Sequence, residues 1–222
     1  MNNIASYIDH TFLKPDTTLK DVERVCGEAI EYRFAAVCVP PLYVKKAVKL
    51  LAGSTVQTAT VIGFPFGYSA IEAKLAEVVL AIVDGADELD MVADIAAIKN
   101  SDWQFIASEI NAILPVIRNK SRVIKIIIES GLLTIDEIIK CCELYGAAGV
   151  DFLKTSTGYS GKGATVEAVQ LMRQYLPPHI QIKASGGIRS FTFARELLSA
   201  GANRIGCSSS IDIMKQSGNN LV

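Results

Sequence analysis

Short apolar runs rich in β-branched residues alternate along the whole chain with longer segments whose apolar positions recur at helical spacing. The strand-like runs are 7–10, 35–39, 56–62, 87–92, 123–129, 150–154, 181–184 and 204–206. Between them the spacing predicts amphipathic helices over 19–31, 42–51, 70–83, 103–117, 135–144, 166–175 and 191–199. Thr165 and Ser190 stand where N-caps belong, and Gly85, Gly146 and Gly201 stand where helices are expected to stop. Three stretches repeat one plan of helix end, small residues and next strand: Asp84-Gly85-Ala86-Asp87, Gly146 to Asp151, and Ala200 to Arg204. Strands alternating with helices imply right-handed βαβ units around a parallel sheet. Eight such units fit an α/β fold of one (β/α)8 TIM-barrel domain spanning 1–222. The rival, an open doubly wound sheet, would normally carry a G-x-G-x-x-G turn after its first strand, and the sequence has none.

Composition narrows the setting. The chain has 222 residues, 50% hydrophobic and 20% charged, with a mean hydropathy of +0.31, as expected where strands are covered on both faces. A net charge of −1 with dispersed basic residues argues against nucleic-acid and membrane-surface partners. No apolar run approaches the roughly 18–20 residues that span a bilayer, and the first dozen residues do not form a secretory signal. The five cysteines include no C-x-x-C spacing, so free thiols in a reducing cytoplasm are expected. His10 and His179 match no metal spacing, and His179, after Pro177-Pro178, is expected in an exposed loop.

In such a barrel the chemistry lies at the C-terminal strand ends. Two adjacent predicted strands end in lysine, Lys154 and Lys183, and Asp90 interrupts the apolar run Leu89 to Met91. One strand-end lysine alone reads as a stem that reaches water; two, with an internal carboxylate, point to chemistry. A free lysine amine has a pKa of about 10.4, so only about one in 2,500 is neutral at pH 7. Desolvation and a neighbouring ammonium both lower that value. Reaching about 7 takes roughly 4.6 kcal/mol of differential interaction. Lys154 is therefore expected to be the nucleophile, Lys183 its perturber and proton partner, and Asp90 a proton carrier. Lys125 and Glu129 share a predicted strand face and read as a structural ion pair in the barrel interior.

Gly186-Gly187-Ile188-Arg189-Ser190 and Gly206-Cys207-Ser208-Ser209 follow successive late strands. Barrels commonly hold phosphate there, on backbone N–H groups that glycine lets approach closely. Gly158 and the turn Gly161-Lys162-Gly163 would add donors, although the P-loop spacing is missing.

At these residues the sequence resembles the deoxyribose-phosphate aldolase family, class I aldolases built on a (β/α)8 barrel. The likeness runs from about Tyr7 to Ser209 through Asp9-His10-Thr11, Val37-Cys38-Val39-Pro40-Pro41, Gly85-Ala86-Asp87-Glu88-Leu89-Asp90, Asp151 to Gly158, and Lys183 to Arg189. The resemblance implies reversible cleavage of 2-deoxy-D-ribose 5-phosphate to glyceraldehyde 3-phosphate and acetaldehyde. It assigns Lys154 to the Schiff base, Lys183 to the second lysine and Asp90 to the proton shuttle. Asp9, Thr11 and Thr155 fall near the substrate hydroxyls. Gly158, Gly186, Gly187, Arg189, Gly206, Ser208 and Ser209 fall in the phosphate region. It implies neither cofactor nor metal, because the iminium is the electron sink, and a homodimer would be in keeping with it. Two departures stand out: Tyr159 where some members carry lysine, with Lys162 three residues on, and a tail Gly218 to Val222 lacking the tyrosine with which some members end. Two rivals share the glycine loops: a phosphate-binding isomerase or synthase without a covalent intermediate, and a non-catalytic sugar-phosphate-binding barrel.

Overall fold

A computed structural model of the chain describes residues 4–219. Eight parallel strands close into a barrel in sequence order: β1 (Ile8–Thr11), β2 (Ala36–Val39), β3 (Gln57–Ile62), β4 (Glu88–Val92), β5 (Val123–Ile127), β6 (Phe152–Lys154), β7 (Gln181–Ser185) and β8 (Arg204–Cys207). Closure is made by β1 and β8, with His10 opposite Cys207. Around them run α1 (Leu19–Tyr32), α2 (Val44–Leu51), α3 (Ile71–Val83), α4 (Ile95–Lys99), α5 (Trp103–Arg118), α6 (Ile135–Ala148), α7 (Val166–Tyr175), α8 (Phe191–Ser199) and α9 (Ser210–Asn219). No described helix is long and apolar enough to cross a membrane.

Several helices begin where the sequence offers side-chain oxygens, although α2 and α3 start without a side-chain cap. Thr18 and Thr134 form capping boxes with Asp21 and Glu137, while Thr165 and Ser190 accept from the backbone of Ala168 and Phe193. Outward strand faces and inward helix faces make one continuous core, including Ile8, Leu89, Ile110, Leu153 and Ile205. Inside the barrel, small residues of β2 and β3 (Ala36, Cys38, Ala59 and Val61) form a separate apolar cluster capped by Leu13 and Phe64.

Several expectations need correction. The predicted 42–51 helix splits, because Pro40-Pro41 starts a 3₁₀ turn, Pro41–Tyr43, before α2. Gly146 does not end α6. The left-handed cap is Gly149, at φ 75°, and Gly146 is small because a Cβ there would lie 2.8 Å from Pro177 Cδ. The fifth strand ends at Ile127, and Glu129 beyond it takes φ 52°. That twist breaks the strand alternation that pairs Glu129 with Lys125: Glu129 Oε2 instead accepts from Thr157 N at 3.1 Å and Thr157 Oγ1 at 2.5 Å. Two helices, α4 and α9, have no counterpart among the predicted segments. Asn220 to Val222, where the tail departs from the family pattern, lie outside the described residues.

Candidate active site

Six strands deliver charged side chains into one barrel interior. Strand β1 brings Asp9, β4 brings Glu88 and Asp90, and β5 to β8 bring Lys125, Lys154, Lys183 and Arg204 in turn. Strand register makes them neighbours: Asp90 lies opposite Lys125, and Lys154 lies opposite Lys183. Asp90 Oδ2 accepts from both Lys154 Nζ and Lys183 Nζ at 2.7 Å, and its Oδ1 accepts from Lys125 Nζ at 2.8 Å. Lys183 also pairs with Asp9 at 2.5 Å. Lys125 pairs with Glu88 at 2.6 Å, and Arg204 bridges Asp9 and Glu88. In this network four basic groups share three carboxylates.

The surplus falls on Lys154. It is 2% exposed, and Asp90, its carboxylate partner, is shared with Lys183. Burial lowers the Lys154 pKa and the Lys183 ammonium lowers it further, while Asp90 opposes them; the balance lies below the usual lysine value. Burial acts on Lys183 in the same sense, but Asp9 and Asp90 together raise its pKa. Asp90 is itself buried, yet Lys125, Lys154 and Lys183 hold it well below the usual carboxylate range. Asp9 is held low against burial by Lys183, Lys125 and Arg204. Lys154 is thus the amine most easily freed of its proton, beside a carboxylate that stays ionised.

Lys154 opens into a cavity of about 300 Å³. Thr11, Gly158, Gly186, Gly187, Arg189, Gly206 and Ser208 line it, and Lys14, Thr157 and Tyr159 join them. Its described lining carries three cationic side chains, Lys14, Lys154 and Arg189, and no carboxylate. Left-handed backbone at Gly158, Gly186 and Gly187 (φ 89°, 88° and 76°) shapes the two loops. They meet without side chains between them: a Cβ on Gly163 would lie 2.1 Å from the Gly186 carbonyl oxygen. Gly206 has an additional task, because a Cβ there would come 2.9 Å from Lys183 Cε.

Three site residues fall elsewhere than expected: Asp9 is fully buried in the charge network and does not line the cavity. Thr155 is fully buried, its Oγ1 donating to Ser185 O and accepting from Ser185 N, both at 3.1 Å. It fastens β6 to β7 rather than lining the cavity. Ser209 lies in the turn before α9, and its carbonyl accepts from Ile213 N. Tyr159 supplies no cation: its hydroxyl donates to Leu13 O at 2.9 Å, and its ring stands edge-on to Phe64. Lys162 lies over Gly131. Sequence reasoning passed over Lys14, in a loop without periodicity. It also missed Glu88 and Arg204, whose meeting requires the barrel to close.

Residues 3–216 match the model of the DeoC/LacD family aldolases. The chain belongs to that family. It is 48% identical over 210 residues to a deoxyribose-phosphate aldolase of Clostridium perfringens, covering 95% of this chain and 93% of the relative. It is also 48% identical over 215 residues to one from Thermococcus gammatolerans, covering 96% of each. The tetrameric deoxyribose phosphate aldolase of Aeropyrum pernix superposes with a TM-score of 0.90 at 33% identity, over 99% of this chain and 92% of that one. These likenesses favour the aldolase reading over the isomerase and the non-catalytic barrel.

Proposed function

We propose that this aldolase reversibly cleaves 2-deoxy-D-ribose 5-phosphate through a Schiff base on Lys154. The observation that carries the proposal is the shared carboxylate: Lys154 competes with Lys183 for Asp90 Oδ2 at equal distances of 2.7 Å, at the floor of a cavity open to ligand. The neutral Lys154 amine attacks the aldehyde carbon C1 of the open-chain sugar, and loss of water from the carbinolamine gives an iminium. The C3 hydroxyl then gives up its proton, the C2–C3 bond breaks, and its electron pair moves into the enamine. Glyceraldehyde 3-phosphate departs. Protonation of the enamine at C2 and hydrolysis release acetaldehyde and restore the amine. Asp90 is the anionic end of the proton path, and Lys183 keeps its proton and its charge beside the iminium nitrogen.

With C1 on Lys154, the phosphate four carbons away falls to the loops of Gly158, Gly186, Gly187, Arg189, Gly206 and Ser208. Lys14 and Arg189, with no carboxylate in the lining, suit a dianion. Asp9 is engaged by Lys183, Lys125 and Arg204, so its part is to hold Lys183, while Thr11, whose Oγ1 donates to Asp9 O at 2.9 Å, can accept from a sugar hydroxyl at the cavity wall. We further place the enzyme as one domain over 1–222, in a reducing cytoplasm in keeping with five buried free cysteines, and assembled as a homodimer.

Borohydride reduction in the presence of acetaldehyde tests the central step. One added ethyl group, mapped to the peptide containing Lys154, is expected. A folded protein that binds phosphate but takes up no adduct would overturn the covalent reading.

A further inference from the structure

His10 is a buried titratable side chain that the reaction above does not use. It is 2% exposed, on β1 directly after Asp9, with its ring tilted against Phe34 at 5.3 Å. Both ring nitrogens are engaged. Nε2 lies 2.7 Å from Glu28 Oε2 on α1, and Nδ1 lies 2.9 Å from Ser210 Oγ, on the first residue of α9. Arg24 Nη1 donates to both oxygens of Glu28, at 3.0 and 3.1 Å. Although burial acts the other way, the bonds to His10 and Arg24 hold the Glu28 carboxyl below its ordinary pKa. The ionised carboxylate can only accept, so Nε2 carries the hydrogen. Burial also holds the imidazole below its ordinary pKa, against the pull of Glu28, and in the neutral ring Nδ1 is left with a lone pair. Ser210 O–H therefore donates to it.

The consequence lies in the turn that Ser210 closes. Strand pairing holds Cys207 opposite His10, and the imidazole holds Ser210 three residues later. Both ends of the segment Cys207-Ser208-Ser209-Ser210 are thus fixed to β1, and Ser208 between them lines the cavity. Ser210 Oγ also lies 3.2 Å from the Cys207 carbonyl, so without His10 the hydroxyl would turn back on its own loop.

We infer that His10 is a positioning residue for the phosphate end of the site: through Ser210 it sets where the β8–α9 turn presents Ser208 and the first amides of α9. The inference rests on the phosphate assignment made above. Its kinetic signature is a split between substrates. Ser210→Ala should raise KM for deoxyribose 5-phosphate about tenfold with little change in kcat, the scale of one well-placed hydrogen bond. Unphosphorylated deoxyribose should change less than about twofold, and Ser210→Thr, which keeps the hydroxyl, should restore most of the loss.

Nuclear magnetic resonance reads the same contact in the unmodified enzyme. The chain has two histidines, so the ring nitrogens of His10 are assigned by comparison with His179→Gln. Titration with inorganic phosphate should move the His10 Nδ1 resonance together with the amides of Gly186, Gly187 and Ser208. If those amides move while His10 stays still, and Ser210→Ala leaves the substrate split unchanged where Arg189→Gln alters it, His10 only packs the barrel and the inference fails alone. If phosphate moves neither the amides nor His10, and Arg189→Gln also leaves the split unchanged, the phosphate assignment fails and takes this inference with it.

Discussion

Lys125 and Lys154 occupy the same barrel, both fully or almost fully buried, and both donate to Asp90. Their pKa values nevertheless move in opposite directions. Burial disfavours the charged form of each. For Lys125, however, Asp90, Glu88 and Asp9 together overturn that effect and push its pKa far above the ordinary lysine value. Lys154 has Asp90 alone, shared with the ammonium groups of Lys183 and Lys125, and its pKa falls. Burial does not by itself make a lysine reactive; what decides is how many carboxylates reach it after its neighbours have taken theirs. With Lys154 neutral, the interior holds three cations against three anions, so releasing that one proton balances the network.

The comparison breaks most completely at the nucleophile. Lys154→Ala should lower cleavage by at least about 10⁴-fold, measured by coupled assay, with a circular-dichroism spectrum like that of the parent. Lys183→Leu removes the competitor and leaves Asp90 Oδ2 to Lys154. Turnover at pH 7 should fall by about 10²-fold, and the alkaline rise of kcat/KM should move to higher pH. An unmoved pH profile would remove Lys183 from its perturbing role.

Lys125→Met should act first on stability, costing about 3–5 kcal/mol in denaturant unfolding because it leaves buried carboxylates short of a cation. It also gives a pH test. The folded pKa values of Asp9 and Asp90 are depressed, so their contribution is present above the unfolded carboxylate value of about 3.9 and is lost as pH falls below it. With less depression in Lys125→Met, the loss should be smaller in total and complete at higher pH. Arg189→Gln should raise KM for the phosphorylated sugar roughly 10-fold or more, the strength of a charge-assisted contact, and leave the unphosphorylated sugar nearly unaffected. Smallest of all is Lys162→Ala: the side chain lies over Gly131, so KM should change by less than about twofold.

The sequence disclosed Lys154, Lys183 and Asp90 because each interrupts an apolar strand at a place where a polar group needs a reason. It also disclosed the barrel, through eight alternations of period, and the N-caps Thr165 and Ser190, through side-chain chemistry local to each helix. It misled at Glu129, where a left-handed residue ends the alternation on which the pairing with Lys125 depends. Gly146 misled for a similar reason: what demands glycine there is Pro177, distant in sequence, and not a helix end. Helix α9 was hidden by its serine-rich start, which reads as loop, and α4 by its length of five residues. Lys125 meets Glu88 and Asp90 across the neighbouring strands β4 and β5, but Arg204 reaches Asp9 only when β8 closes on β1, a contact across nearly the whole chain that no local pattern encodes.

Gly206 limits how this site can change over generations. With Lys183 in its present place, a Cβ at 206 would come 2.9 Å from Lys183 Cε and 3.0 Å from Ser185 Cβ, so a side chain at 206 displaces the end of the lysine and drift at the two positions is coupled. Lys183 can be traded for something shorter while Gly206 stands, but once 206 acquires a side chain a lysine returning to 183 must carry its amine elsewhere than the present seat. A lineage that takes the second step would keep the barrel while moving the second amine out of its present contact with Asp90.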